Sequence, residues 1–287
     1  MDLDDAIACF PAEGIFPPES PIRRVHREGV LLLGGGRALL LQVAHPLVAA
    51  GVAEHSRFRE DPFGRLRRTL DAMLAIVFGR RETALAWVAR VRRVHASVHG
   101  TLAEPAGPFA RGTPYDARDP DLLLWVHATL IDTALRIHDR FFGGLDPASR
   151  LGYYDETKVI AELMGVPARA IPPTLDAFRV YVEEMLRSDR ISVTDRAREI
   201  ADAVLRPPVP LIAGAAGAIA RFATTALLPE RLRRAYGLPW GPRREAAWHA
   251  LESAGRFFLP ALPRVLREMP QARRPSRSPD PPREPAR

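Results

Sequence analysis

Apolar residues recur at three- and four-residue spacing in eight stretches: 37–54, 65–78, 81–99, 120–141, 148–164, 174–187, 194–204 and 244–257. That period puts apolar side chains on one face of a helix. The two-residue alternation of half-buried strands is nearly absent. The sequence therefore predicts an all-α fold, a single-domain helical bundle. Local start signals agree with the pattern. Asp119-Pro120 and Asp146-Pro147 set proline in a first helical turn, while Thr174 and Thr194 offer capping hydroxyls. Glycine and proline fall between the stretches at Gly143-Gly144, Gly165-Val166-Pro167, Pro172-Pro173 and Gly237-Leu238-Pro239. The expected organisation is an N-terminal extension over 1–20, one helical domain over 21–268, and a disordered Pro/Arg-rich tail over 269–287.

Composition narrows the class. Of 287 residues, 47% are hydrophobic and 26% charged, which is globular. The formal charge of +7 invites a nucleic-acid reading, but the basic residues are scattered among acids and almost all are arginine, Lys158 being the sole lysine. A contiguous basic face is what nucleic acid needs, so no nucleic-acid partner is expected. One cysteine, Cys9, forms no disulfide framework and suits a reducing, cytoplasmic setting. No apolar run reaches the roughly 18–20 uncharged residues that span a bilayer. Ala38–Ala53 comes nearest but carries Gln42, His45 and Pro46. That predicts no transmembrane segment and leaves room for peripheral membrane contact.

Ionisable groups set among apolar neighbours need partners or a function. On the stretch 81–99, His95 shares a face with Leu85, Val88, Val91 or Arg92, and Val98. It reads as a core histidine bonded to a carbonyl, or as a neutral imidazole delivered to an iron in an apolar pocket. His99, one turn on, makes an H-x-x-x-H pair without the glutamate of a zinc protease. Arg65, Arg68 and Thr69 lie near one face of the next candidate helix, either as a solvated surface or as donors over a bound cofactor. His127 shares a face with Leu123, Leu124, Leu130 and Ile131. Glu54 follows a run of small residues and is read as a helix end or a base. Gly34-Gly35-Gly36-Arg37 is no dinucleotide fingerprint, so its glycines are expected to let the backbone approach a neighbour or ligand closely.

These segments together resemble the bacterial and fungal family that groups MpaB-type oxygenases with the catalytic domain of rubber oxygenase (latex clearing protein). The resemblance is carried by G-G-G-R-A-L-L-L-Q-V-A-H-P at 34–46, G-V-A-E-H-S at 51–56, D-P-F-G-R-L-R-R-T at 61–69, R-R-V-H at 92–95 and D-P-D-L-L-L-W-V-H-A-T-L at 119–130. The segments F-R-V-Y-V-E-E-M-L at 178–186 and Y-G-L-P-W at 236–240 continue it. The resemblance implies a globin-related all-α fold holding one haem b, and oxygen-dependent oxidation of an apolar, alkene- or terpenoid-like substrate. It puts the proximal, iron-binding histidine at His95 and the distal groups at Arg65, Arg68 and Thr69. Glu54 is the nearest counterpart of the catalytic glutamate. Arg65, Arg92, His45 and His127 complete the candidate haem contacts, the two histidines as rival ligands. Arg68 stands where rubber oxygenase has lysine, and an arginine stays protonated and does not ligate iron. That substitution predicts an open or water-filled sixth position and argues against rubber itself as substrate.

Two other classes remain open at this stage. One is a haem or apolar-ligand binding protein without turnover. The other is a metal-dependent hydrolase built from His45, His55, His127 and Asp132 or Asp139, the His138-Asp139 doublet being its nearest motif. Dioxygen and an apolar small molecule are the expected partners. The sequence names no electron donor.

Overall fold

The computed structural model describes residues 8–56, 62–205 and 214–273, without the side chains of 62–66 and 215–216. It is mostly helical. Helices α1 (Pro21–His26), α2 (Gly35–Val43), α3 (Pro46–His55), α4 (Pro62–Phe78) and α5 (Arg81–Ala96) form the first half, with a 3₁₀ turn at Gly29–Gly34. Then follow α6 (Pro120–Phe142), α7 (Pro147–Met164), α8 (Leu175–Arg187), α9 (Asp195–Leu205), α10 (Ala215–Leu227), α11 (Glu230–Ala235), α12 (Pro242–Phe258), α13 (Arg264–Arg267) and α14 (Pro270–Arg273). Among the described residues, regular β-structure is one antiparallel ribbon, β1 (His99–Thr101) with β2 (Pro114–Asp116), in which Gly100 faces Tyr115.

The long helix α6 is the axis of the core. It packs against α2, the 3₁₀ turn, α7, α8 and α12. Its start is set by Asp119, whose carboxylate accepts from the Asp121 amide at 2.9 Å, with Pro120 in the first turn. Gly143 ends it at φ +79°, and Gly165 ends α7 at φ +107°, left-handed positions that favour glycine. Thr174 and Thr194 cap α8 and α9 as their sequence positions predict, accepting from Ala177 and Ala197.

The predicted helix 37–54 is two helices. Proline restricts the preceding residue to extended backbone, and His45 takes φ −82°, ψ 117°. The apolar chain bends there by 106°. Carbonyls near the break accept hydrogen bonds from distant parts of the chain. The Trp125 indole donates to Leu41 O at 3.2 Å, the Tyr236 hydroxyl to Leu40 O at 2.7 Å and the Ser192 amide to Ala44 O at 2.8 Å. The wall facing one cluster (Leu40, Leu41, Val43) is thereby separated from Leu47 and Ala50, which pack on Leu102, Tyr115 and Leu122. Among the described residues no single helix is long and apolar enough to cross a membrane.

The glycine run behaves as its composition suggests, through close approach rather than unusual dihedrals. A Cβ on Gly36 would lie 2.1 Å from Thr224 Oγ1, and one on Gly34 2.5 Å from a Thr133 methyl. Gly34 and Gly35 have negative φ. Arg37 enters the space so created with none of its surface exposed.

The packed chain extends beyond the central helices at both ends. Ile15 and Phe16 join the main core cluster, as does Met269, whose amide donates to Arg27 O at 2.7 Å. The remainder of the tail, 274–287, lies outside the described residues.

Candidate active site

Helices α4 and α5 form a tight antiparallel hairpin about Gly79, whose Cβ position would meet Ala75 O at 2.3 Å. Residues equally distant from such a turn lie side by side. Arg65, Arg68 and Thr69 precede Gly79 by ten to fourteen positions, while Arg92 and His95 follow by thirteen and sixteen. All five therefore belong to the open end of the hairpin. The Arg65 side chain lies outside the described residues. Arg68 and Thr69 are exposed, Arg92 is half-buried, and His95 is half-buried with its Nδ1 shielded from solvent and without a hydrogen-bond partner. Burial pushes the His95 pKa down, so the ring is held neutral.

The helical spacing expected through His99 ends early. α5 stops at Ala96, and His99 sits exposed in β1 opposite Asp116, so His95 and His99 are not an i, i+4 pair on one helix. The chain turns into the ribbon because the Val98 carbonyl is taken by the Ala117 amide at 2.9 Å. This ribbon brings α3 to the same end of the molecule. A Cβ at Gly51 would lie 3.2 Å from a Val98 methyl. One turn beyond Gly51, Glu54 accepts from the Tyr115 hydroxyl at 2.5 Å and from Arg196 at 2.5 Å. His55 Nε2 is 3.2 Å from the same hydroxyl. Burial would raise the Glu54 pKa, but the hydrogen bonds from Tyr115 and Arg196 outweigh it and hold the carboxyl below its ordinary value. Burial and Glu54 together push Tyr115 up to about 12. A carboxylate so held suits a hydrogen-bonded anion better than a proton acceptor. Tyr115 and Arg196 escape sequence reading because a three-residue strand has no period and Arg196 is distant in sequence.

The other two candidate histidines lie elsewhere. His45, 1% exposed, sits at the break between α2 and α3 against Phe109, with ring centroids 5.4 Å apart. It lines a cavity of about 70 Å³ with Asp121, Tyr181, Met185 and Arg190. Its Nδ1 has no partner, and burial, reinforced by Arg190, pushes its pKa down to about 4. His127 on α6 faces α7. Burial lowers it to about 4 against the opposing effect of a hydrogen bond to the Thr157 backbone, and its Nε2 is unpartnered.

Arg37, which the glycine motif delivers, is structural in its contacts. It donates to Leu227 O at 2.9 Å, Thr133 Oγ1 at 2.5 Å and Asp132 Oδ2 at 2.6 Å. Asp132 also pairs with Arg136, and Asp139 pairs with Arg150. Among the described residues no three His, Cys, Asp or Glu side chains converge as metal ligands. The hydrolase arrangement of His45, His55, His127 and these two aspartates is therefore not assembled.

Residues 22–257 match the family described as "ER-bound oxygenase mpaB/B'/Rubber oxygenase, catalytic domain". The chain belongs to that family, and by that membership it is an oxygenase. It is similar to two mycobacterial proteins, both named only as uncharacterised: Mb2261 of Mycobacterium bovis and Rv2237 of Mycobacterium tuberculosis. Each is 28% identical over 231 residues, covering 78% of this chain and 87% of the relative. No solved structure matches the chain.

Proposed function

We propose that this protein is a haem-dependent oxygenase of apolar, alkene- or terpenoid-like substrates, with His95 as its iron ligand. The observation that carries the reading is the buried, unpartnered Nδ1 of a neutral His95 at the open end of the α4–α5 hairpin. A neutral imidazole is the form that ligates iron, and an imidazole nitrogen left without a hydrogen bond is otherwise a cost. These residues fit the group. Haem, when bound, supplies the activation of dioxygen.

The chain supplies the surroundings. α5 is a sixteen-residue helix locked to α4, so it presents the His95 ring from a stiff support. Arg92, one turn before it, and Arg65 and Arg68 from α4 offer guanidinium donors to carboxylates of a bound cofactor. The Arg68 guanidinium acts as a charge and donor rather than as an iron ligand. Thr69 adds a hydroxyl donor toward an oxygen substrate. Glu54 stays ionised between Tyr115 and Arg196 and ties α3 and α9 to the ribbon at this end.

Protein produced with adequate iron and a porphyrin precursor should carry a Soret band. His95→Ala should lose it while keeping its far-UV circular dichroism, and His45→Ala and His127→Ala should keep it. Normal haem content in His95→Ala would move the ligand to another histidine. A parent protein that refuses hemin would end the reading. A haem-loaded parent that consumes no oxygen with any alkene would instead favour a binding protein.

A further inference from the structure

Among the described residues, the segment from the end of α12 to α13 is the most exposed apolar feature. Phe257 is 76% exposed, Phe258 60%, Leu262 37%, Val265 59% and Leu266 72%. Every residue from Pro260 to Leu266 is exposed. Isolated exposed apolar residues need no explanation, but a contiguous group of large ones marks an interaction surface. We propose that this knuckle, Phe257–Leu266, inserts into the interface of an anionic lipid membrane.

Three observations favour lipid over a protein partner. First, the exposed apolar side chains fall on two turns, Phe257 and Phe258 with ring centroids 5.0 Å apart and Val265 with Leu266, large apolar groups that suit burial at the headgroup–acyl boundary. Second, much of the backbone is already satisfied, as a low-dielectric setting demands. Pro260 and Pro263 have no N–H. The amides of Ala261, Leu262, Leu266 and Arg267 donate within the knuckle to Phe258, Leu259 and Pro263 carbonyls. Third, the charge is one-sided. Between Glu252 and Glu268, whose side chains are largely buried, the charges are Arg256, Arg264 and Arg267. Arg267 is taken up by Glu28, while Arg264 stays exposed although 3.8 Å from Glu268. The chain beyond them adds Arg273, Arg274, Arg277, Arg283 and Arg287 against Glu268, Asp280 and Glu284. Cations beside inserted apolar groups are the complement of an anionic leaflet.

The knuckle is also held rigidly at its base. Arg256 donates to Arg140 O at 2.7 Å and to Asp139 O at 3.3 Å. Arg267 pairs with buried Glu28 at 3.0 Å. The protruding residues are thus presented in one arrangement, and little ordering remains for binding.

The test is co-sedimentation of the full chain with phosphatidylcholine vesicles and with vesicles of equal phosphatidylcholine and phosphatidylglycerol. The parent should partition onto the anionic vesicles, and less as salt rises. Phe257→Ser/Phe258→Ser and, separately, Val265→Ser/Leu266→Ser should each lower partitioning about tenfold or more. Arg264→Glu should weaken binding to the anionic vesicles alone. The two pairs lie on separate turns at exposed positions, so a folding defect in one leaves the other to decide. A parent that ignores anionic vesicles, or double variants that bind as the parent does, would overturn the proposal. So would a dimer on size exclusion that the same substitutions dissolve, because the patch would then be an interface between copies. Vesicle binding is independent of haem content and of the iron ligand.

Discussion

Arg37 tests whether the glycine-arginine motif serves the fold or a ligand. Its guanidinium is fully buried and makes three hydrogen bonds, to the last carbonyl of α10, to Thr133 and to Asp132, whose side chain is only 15% exposed. Replacing it with methionine keeps most of the volume and removes all three. Breaking one partner out of a buried ion pair costs about 3–5 kcal/mol, and an orphaned carbonyl costs about 1–3 kcal/mol. Asp132 keeps Arg136 at 2.9 Å, which offsets part of this. The expected loss for Arg37→Met is therefore about 3 kcal/mol, measured by urea unfolding followed by circular dichroism. Arg136→Ala, which removes a half-exposed partner, should cost under about 1 kcal/mol. Arg37→Met/Asp132→Leu, with both charges gone, should be no less stable than Arg37→Met. Equal small losses for the two arginine variants would refute the reasoning. So would a stable Arg37→Met protein that has lost haem, because the motif would then belong to the ligand.

Acid sensitivity follows from the buried histidines. The folded-state pKa of His45 is about 4, below its ordinary 6.5, so the unfolded chain takes the proton first. Stability is full above pH 6.5 and is lost as pH falls toward 4; His45 alone accounts for about 2 kcal/mol by pH 5. Urea midpoints at pH 7 and 5 should differ less in His45→Asn than in the parent, and an unchanged difference would remove His45 from the account. Gly36→Ala should overpack the α2–α10 contact and cost about 1–3 kcal/mol. Adding Thr224→Ala, which deletes the hydroxyl 2.1 Å from the new Cβ, should restore most of it by the same unfolding measurement.

The helices that were readable from sequence are those whose apolar period is strong and whose ends carry chemical signals. Asp119-Pro120, Asp146-Pro147, Thr174 and Thr194 all open helices where they stand. The period misled at two places. A continuous apolar run hid the break at His45, although Pro46 announces it, and the period through Val98 and His99 extended α5 past its end. α10 was missed because its sequence, Ala215–Leu227, is nearly half alanine and follows a proline-rich stretch that reads as a breaker. At the candidate site, His95 and the α4 arginines are proposed from their helical faces and the family resemblance, and the structure adds that they share the open end of one hairpin. The clasp of Glu54 by Tyr115 and Arg196 was not legible, since it joins three elements that only tertiary packing brings together. The exposed Phe257–Leu266 knuckle was equally hidden, because its residues are ordinary apolar types and only the fold shows that no described residue covers them.

The corner at His45-Pro46 also limits how this chain can vary in length. Inserting one residue between Ala44 and Ala49 would rotate everything after it by about 100° around the α3 axis. Leu47 and Ala50 would swing off Leu102 and Tyr115, and Glu54 would leave the reach of Arg196. The stretch between β1 and β2 is tied to the same corner, through Leu102 against Leu47 and Phe109 against His45, so related chains should keep the residue count across the corner together with the positions that meet it.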